Sequence, residues 1–253
     1  MTKMEIFENN CAIVISSCDN YRDAWVPFFT LFFRYWPDCP FTVYLIGNKE
    51  KFNDEKIKMI NVDPDLGWSS NLMIALKKIP EKFIIYFQED YFLRAKVDNE
   101  KVFSALDLAE KNNAACVRLF PCPGPDLPFG DNPDVGLISQ NAAYRNCTQT
   151  AIWNKQILLD LLRDGETGWD FELYGGIERS KLIKQPFFAY RQPVIDYFCT
   201  AILKGKYLYD AVKFCKKEGI KLDRRARKFE NYFQYLFRIS NLKPRLRKLI
   251  KGK

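Results

Sequence analysis

Short apolar runs bounded by polar turns alternate along this chain with longer stretches whose apolar residues recur at helical spacing. The run Cys11-Ala12-Ile13-Val14-Ile15-Ser16 predicts a first buried strand. The polar turn Ser17-Cys18-Asp19-Asn20 then leads into an aromatic helix over residues 21–35, which Pro37 and Pro40 terminate. Residues 41–46 predict a second strand closed by Gly47-Asn48, and residues 58–62 a short third. Ser69 or Ser70 is placed to cap a helix reaching Lys78, after which Phe83-Ile84-Ile85-Tyr86-Phe87 predicts a buried central strand. Asp98 opens a helix to Lys111, and residues 114–119 predict the next strand. Proline, glycine and aspartate dominate residues 121–133, which predicts a long irregular loop of the kind that serves as a lid or binding loop. Residues 144–153 read as strand, and Asn154 caps a helix over 155–162. The turn Asp164-Gly165-Glu166-Thr167-Gly168 leads into Trp169-Asp170-Phe171-Glu172 and a further helix.

Strand alternating with helix implies right-handed crossovers and a mostly parallel sheet. The predicted class is therefore α/β, with one mostly parallel sheet flanked by helices over residues 1–203. A helical extension over residues 204–253 follows, broken at Glu218-Gly219 and between Asn241 and Pro244. With 253 residues, 47% of them hydrophobic, the chain can bury a substantial core, so a single α/β domain with an extension suffices.

Charge separates the two parts. The net charge is +8, but residues 204–253 carry +13 and residues 1–203 carry −5. In Arg224-Arg225-Ala226-Arg227-Lys228 and in Lys243-Pro244-Arg245-Leu246-Arg247-Lys248-Leu249-Ile250-Lys251, basic residues stand among apolar ones. One face of such a helix can enter a bilayer interface while the other meets anionic headgroups. Nucleic-acid binding and a solvated basic face are the competing uses of the same residues.

Histidine is absent, which removes Ser-His-Asp and Cys-His nucleophiles, His-bound zinc and the imidazole base. Acid–base work at neutral pH then falls to carboxylates, Tyr, Lys or Cys. The eight cysteines contain no Cys-x-x-Cys pair and several sit in strand-like runs, the pattern of reduced, buried thiols. Residues 1–10 are polar and acidic, unlike a secretory signal, and no apolar run is long enough to span a bilayer. The expected location is cytoplasmic, peripheral on the inner face of a membrane.

Candidate chemistry begins where the strand at 83–87 runs into Gln88-Glu89-Asp90. Ligands of open α/β sheets bind at the carboxyl ends of the strands. Glu89 and Asp90 there offer hard oxygen ligands to Mg²⁺ or Mn²⁺ against nucleotide phosphates, although an ordinary solvated loop uses the same residues. Gly67 lets the backbone approach a ligand, and a helix starting at Ser69 offers amides to a phosphate or hydroxyl; plain helix capping is the alternative.

Three segments, in order and spacing, carry a resemblance over residues 11–191: Ile84-Ile85-Tyr86-Phe87-Gln88-Glu89-Asp90-Tyr91-Phe92-Leu93, Gln149-Thr150-Ala151-Ile152-Trp153-Asn154, and Trp169-Asp170-Phe171-Glu172. With them the chain resembles nucleotide-sugar-dependent glycosyltransferases of the GT-A fold, in particular small bacterial and viral enzymes of envelope polysaccharide synthesis. The resemblance implies a nucleoside diphosphate sugar donor at the carboxyl edge of the sheet and a glycan or lipid-linked acceptor. It also implies Mn²⁺ or Mg²⁺ on Asp90 and Glu89, and it places Ser16, Asp19 and Tyr21 where the fold grips base and ribose. Asp19 or Asn20 capping the next helix is the alternative. Arg118 or Arg191 would pair with phosphate or an acidic sugar, and Trp153 and Trp169 offer a sugar platform if they are not core. The chain departs from the family pattern at Gln88, where the acidic motif lacks its first carboxylate, and in having no late histidine for the metal; a metal-independent variant stays open.

Sugar transfer passes through an oxocarbenium-like state while charge develops on the departing diphosphate. An inverting enzyme needs one carboxylate to take the acceptor proton. Glu172, and after it Asp170, stand where inverting members of the fold carry that base; a helix cap by Asp170 and an ion pair between Glu172 and Arg179 are the structural alternatives. Two other functions compete. A sugar nucleotidyltransferase would carry a Gly-rich, basic phosphate loop where this chain has Ser17-Cys18-Asp19-Asn20, and a non-enzymatic adaptor would use the basic tail on nucleic acid or membrane.

Overall fold

The computed structural model describes residues 3–241. Helix α1 (Lys3–Asn10) precedes β1 (Cys11–Ser16), and a single 3₁₀ turn at Asp19–Tyr21 leads into α2 (Arg22–Tyr35). Then come β2 (Thr42–Gly47), β3 (Ile57–Asn61), α3 (Trp68–Lys78), β4 (Phe83–Gln88), α4 (Asn99–Lys111) and β5 (Cys116–Arg118). They are followed by β6 (Leu127–Pro128), β7 (Val135–Leu137), β8 (Ala151–Asn154), α5 (Lys155–Leu161), α6 (Gly168–Leu173), α7 (Gly175–Ser180) and β9 (Phe187–Tyr190). Last are β10 (Ile202–Leu203), β11 (Lys206–Tyr207), α8 (Tyr209–Lys217), β12 (Lys228–Phe229) and α9 (Tyr232–Ser240).

The chain forms two compact units, one from residues 3–19, 38–88 and 97–196, the other from residues 20–37, 89–96 and 197–241. Neither is a continuous stretch, and the boundary expected at residue 203 falls inside the second.

The first unit is built on a nine-stranded sheet ordered β3-β2-β1-β4-β8-β5-β9-β7-β6. As the alternation predicts, this is a large, mostly parallel sheet flanked by helices: β1 pairs parallel with β2 and β4, β2 with β3, and β5 with β9. Strand β8 runs antiparallel between β4 and β5 because the connection that reaches it carries no crossover helix. All six residues of β1 are buried, as a central parallel strand covered on both faces requires. On one face Ala12, Val14, Ile84, Tyr86 and Trp153 pack with Leu72 and Leu76 of α3, Leu158 and Leu161 of α5, and Phe171 of α6.

Caps follow the sequence at two helices. Asp98 accepts from the Glu100 and Lys101 amides, and Asn154 from those of Gln156 and Ile157. At α3 the expectation fails: the helix starts at Trp68, the cap is Gly67 at φ +87, and no side chain caps it. The expected strand over 144–153 shortens to β8, because the carbonyls of Tyr144 and Arg145 are taken by the buried Arg118 guanidinium instead of a neighbouring strand. The loop over 121–133 is pinned by β6 pairing with β7 and by Phe129 packed edge-on against Phe188 at 4.8 Å.

The second unit contains α2, α8, α9 and the small sheet β10-β11-β12, so the carboxyl-terminal part is not purely helical. Phe28, Phe32 and Trp36 are buried. Ion pairs tie its separate segments: Arg227 to Asp23 at 2.8 Å and Arg34 to Glu218 at 2.8 Å. Tyr91 stacks on Tyr197 at 4.9 Å, joining the segment after β4 to the carboxyl-terminal part. All eight cysteines are free. Among the described residues no helix is long and apolar enough to cross a membrane. The basic run at 243–251 and the helix break at Pro244 lie outside the described residues.

Candidate active site

In the first unit, β1 and β4 end together, with Ser16 opposite Gln88 at the carboxyl edge of the sheet. Gln88 donates to the Tyr86 hydroxyl (3.3 Å), which also accepts from the Trp68 indole (2.9 Å), and Trp68 packs on Phe171 at 5.4 Å. This chain of contacts runs from the strand end to the helix that carries Glu172. Trp68 was not singled out in the sequence, where its place at a helix start beside Gly67 was the available signal.

The start of α3 is docked on the turn that precedes α6. Ser69 donates its amide to the Glu166 carbonyl (3.3 Å), and Ser70 Oγ donates to Asp164 and accepts from the Gly165 amide (3.0 Å). Two segments nearly a hundred residues apart therefore meet, and the Ser69 amide expected for a ligand is already engaged. Gly67 is required by its positive φ rather than by crowding, since a Cβ there would meet nothing within 4 Å.

Glu172 lies half-buried on α6. Its Oε1 accepts from both the amide (2.5 Å) and the hydroxyl (2.7 Å) of Thr148, and Arg179 pairs with Glu166 instead of with it. The two Thr148 bonds fix the carboxylate through one oxygen. Asp170 sits two residues earlier in a different role: Thr167 and Asp170 form a reciprocal capping box, and the Thr167 hydroxyl and amide hold the Asp170 carboxyl below the usual carboxylate range. A depressed carboxylate committed to a cap is a poor base.

Between α6 and α7 there is no spare room. A Cβ on Gly176 would stand 2.6 Å from Phe171 Cα and closer still to the Phe171 carbonyl oxygen. Gly176→Ala is therefore expected to cost about 1–3 kcal/mol by overpacking and to displace the residue next to Glu172. Urea denaturation reads the first effect and turnover the second; a variant unchanged in both would contradict this packing.

The Asp19 carboxylate is engaged within the fold. Its oxygens accept from the amides of Asn48 (2.9 Å), Lys49 (2.8 Å) and Glu50 (3.1 Å), and its own amide donates to Asn48 Oδ1 (3.0 Å), which anchors the loop after β2. Arg118 is also removed from the expected set. It is fully buried and its guanidinium donates to the carbonyls of Pro123 (2.8 Å), Tyr144 and Arg145 (2.8 Å), so no phosphate or sugar can reach it. Arg191 is exposed, and its amide donates to the Asp134 carbonyl. Trp153 is core, whereas Trp169 is 61% exposed and free to present a face. A separate cleft of about 540 Å³, lined by residues that include Ser104, Leu108, Val135 and Tyr190, holds none of the candidate residues.

In the second unit, Tyr21 lies under the Arg227 guanidinium at 4.5 Å. Glu89 and Asp90, directly after β4, are both buried. Asp90 Oδ2 accepts from the Thr200 hydroxyl (2.6 Å) and the Ile202 amide (3.0 Å), and its carbonyl accepts from the Ala201 amide (3.0 Å). Asp90 Oδ1 is closed to solvent and has no hydrogen-bond partner. Among the described residues no three Cys, Asp or Glu side chains converge. One Asp90 oxygen is committed to Thr200 and Ile202, and the other is closed to solvent.

Burial pushes the Asp90 carboxyl above the usual range. A raised carboxyl pKa means that its stabilising contribution is full below the unfolded value and is lost as pH rises through the folded one. The stability of the wild type relative to Asp90→Asn should accordingly be greatest in acid and shrink toward neutral pH. Urea titrations across that range check it, and a gap that widens with pH would overturn the assignment.

The class that this architecture defines is α/β, a Rossmann-like, mostly parallel sheet flanked by helices. Solved structures similar to it include those of S. aureus TarS. TarS 1–349 matches with TM-score 0.51 and 11% identity over 76% of this chain and 60% of that one. TarS matches with 0.52 and 10% over 96% and 46%, and TarS 1–349 in complex with UDP with 0.50 and 9% over 96% and 69%. This chain thus spans only 60% and 46% of the first two TarS chains, and the likeness is one of fold. No protein-family model and no curated protein matches the sequence.

Proposed function

We propose that this protein transfers a sugar, with inversion, from a nucleoside diphosphate sugar to a hydroxyl of a glycan or lipid-linked acceptor during synthesis of a surface polysaccharide. The observation that carries the reading is Glu172, a carboxylate oriented through one oxygen by Thr148 and set on a helix tied to the carboxyl edge of the sheet. Its second oxygen is the group that takes the acceptor proton as the acceptor oxygen attacks the anomeric carbon and the nucleoside diphosphate leaves. Asp170 is passed over because its carboxylate serves the cap. The TarS complex with UDP supports a uridine nucleotide as the first donor to try, and the three sequence motifs support the surface-glycan acceptor.

The test is a thermal-shift panel of UDP, GDP, CMP and dTDP, each with Mn²⁺ and with chelator, followed by transfer assays with the matching nucleotide sugars. At least one nucleoside diphosphate should raise Tm, and its sugar should be transferred or slowly hydrolysed. No response to any nucleotide in either condition, or pyrophosphate release from a nucleoside triphosphate and a sugar phosphate, would sink the proposal.

A further inference from the structure

Helix α9 is fastened to the second unit by one side. Arg238 donates to Glu230 (2.8 Å) and Asp210 (2.9 Å), Tyr235 packs on Tyr209 at 5.1 Å, and Asn231 with Gln234 closes a capping box at the helix start. These ties set the rotation of the helix. At 3.6 residues per turn, Phe233, Leu236 and Phe237 then fall together on the other side, while Tyr232 packs with Tyr235 against Tyr209. The three are 80%, 39% and 74% exposed, and no residue of the helix is fully buried. Two phenylalanines left three-quarters in water by a well-anchored helix mark an interaction surface rather than a loose end.

The charge around that face indicates its partner. Arg224, Arg225 and Lys228 stand exposed just before the helix. Beyond Asn241 the sequence carries six Lys and Arg and no acidic residue. The acids nearest the helix in these contacts, Glu230 and Asp210, are already occupied by Arg238. Aromatic side chains flanked by uncompensated cations complement an anionic bilayer: rings enter the boundary between headgroups and acyl chains while the cations meet phosphates. A second copy of the chain, paired on the same face about a two-fold axis, would bring like charges together.

We propose that α9 docks this protein on anionic lipid bilayers, with Phe233 and Phe237 inserted at the interface. The inference is independent of the sugar-transfer reading. The test is sedimentation of the full chain with phosphatidylcholine vesicles containing about 30% phosphatidylglycerol, where each Lys or Arg near the surface adds about fivefold to the partition. Binding should be lost on pure phosphatidylcholine and reversed by salt. The double variant Phe233→Ser, Phe237→Ser should bind at least about tenfold more weakly with unchanged Tm, and Phe233→Trp, Phe237→Trp should keep or raise binding. Equal binding by wild type and the Ser variant, or equal binding to neutral vesicles, would overturn the proposal. So would a wild-type dimer that the Ser variant abolishes in a protein with no affinity for vesicles.

Discussion

Glu172→Gln is expected to lower turnover by about 10²–10⁴-fold, the usual contribution of a positioned base, while nucleotide binding stays intact. The substitution preserves shape. Its amide oxygen can still accept from the amide and hydroxyl of Thr148, so α6 should remain in place. What is lost is the second carboxylate oxygen and its capacity to take a proton. The signature is therefore specific: the nucleotide thermal shift persists, KM for the donor changes little, and the limb of the pH–rate profile that reports the base disappears. Asp170→Asn provides the contrast, because it touches only the capping box with Thr167 and should reduce Tm slightly with activity retained. Turnover of Glu172→Gln within threefold of the wild type would remove Glu172 as the base and return the question to other carboxylates.

Arg118→Met should be the most damaging substitution for stability, costing about 3–5 kcal/mol. The guanidinium is wholly enclosed and holds three carbonyls from two segments, those of Pro123, Tyr144 and Arg145. Methionine fills a similar volume but takes the donor from all three acceptors, of which the Arg145 carbonyl is buried. Arg118→Lys should rescue only part of the loss, since a single ammonium cannot reproduce the planar fork. Urea denaturation of the three proteins provides the comparison. A loss below about 1 kcal/mol for the methionine variant would mean that the segments around 121–150 are organised by other contacts.

These two residues also mark where the sequence could be read and where it could not. β1 and β4 were legible to within a residue because a strand buried on both faces must be apolar along its buried length, as Cys11 to Ile15 and Phe83 to Phe87 are. Asp98 and Asn154 were legible as caps because their hydrogen bonds are local. What escaped depends on partners distant in sequence. Arg118 looked like a ligand-binding arginine at a strand end, and only the fold reveals the carbonyls that enclose it. Asp19 looked like a ribose contact, but the amides of Asn48, Lys49 and Glu50 converge on it from the end of another strand. Glu172 could be nominated from its aromatic setting, whereas Thr148, which orients it from outside any regular element, left no local trace. The early strand at 144–153 failed for the same reason, since nothing in its own composition announces that Arg118 will claim its backbone.

The interleaving of the two units bears on how the protein is made. Asp23 leaves the ribosome about two hundred residues before Arg227, and Arg34 a similar interval before Glu218. Through most of synthesis the phenylalanine-rich α2 waits without the ion pairs that tie its ends. A chain cut at residue 203 would keep that helix but lose its late partners. It should behave as a client of chaperones and proteases, not as a smaller version of the same protein.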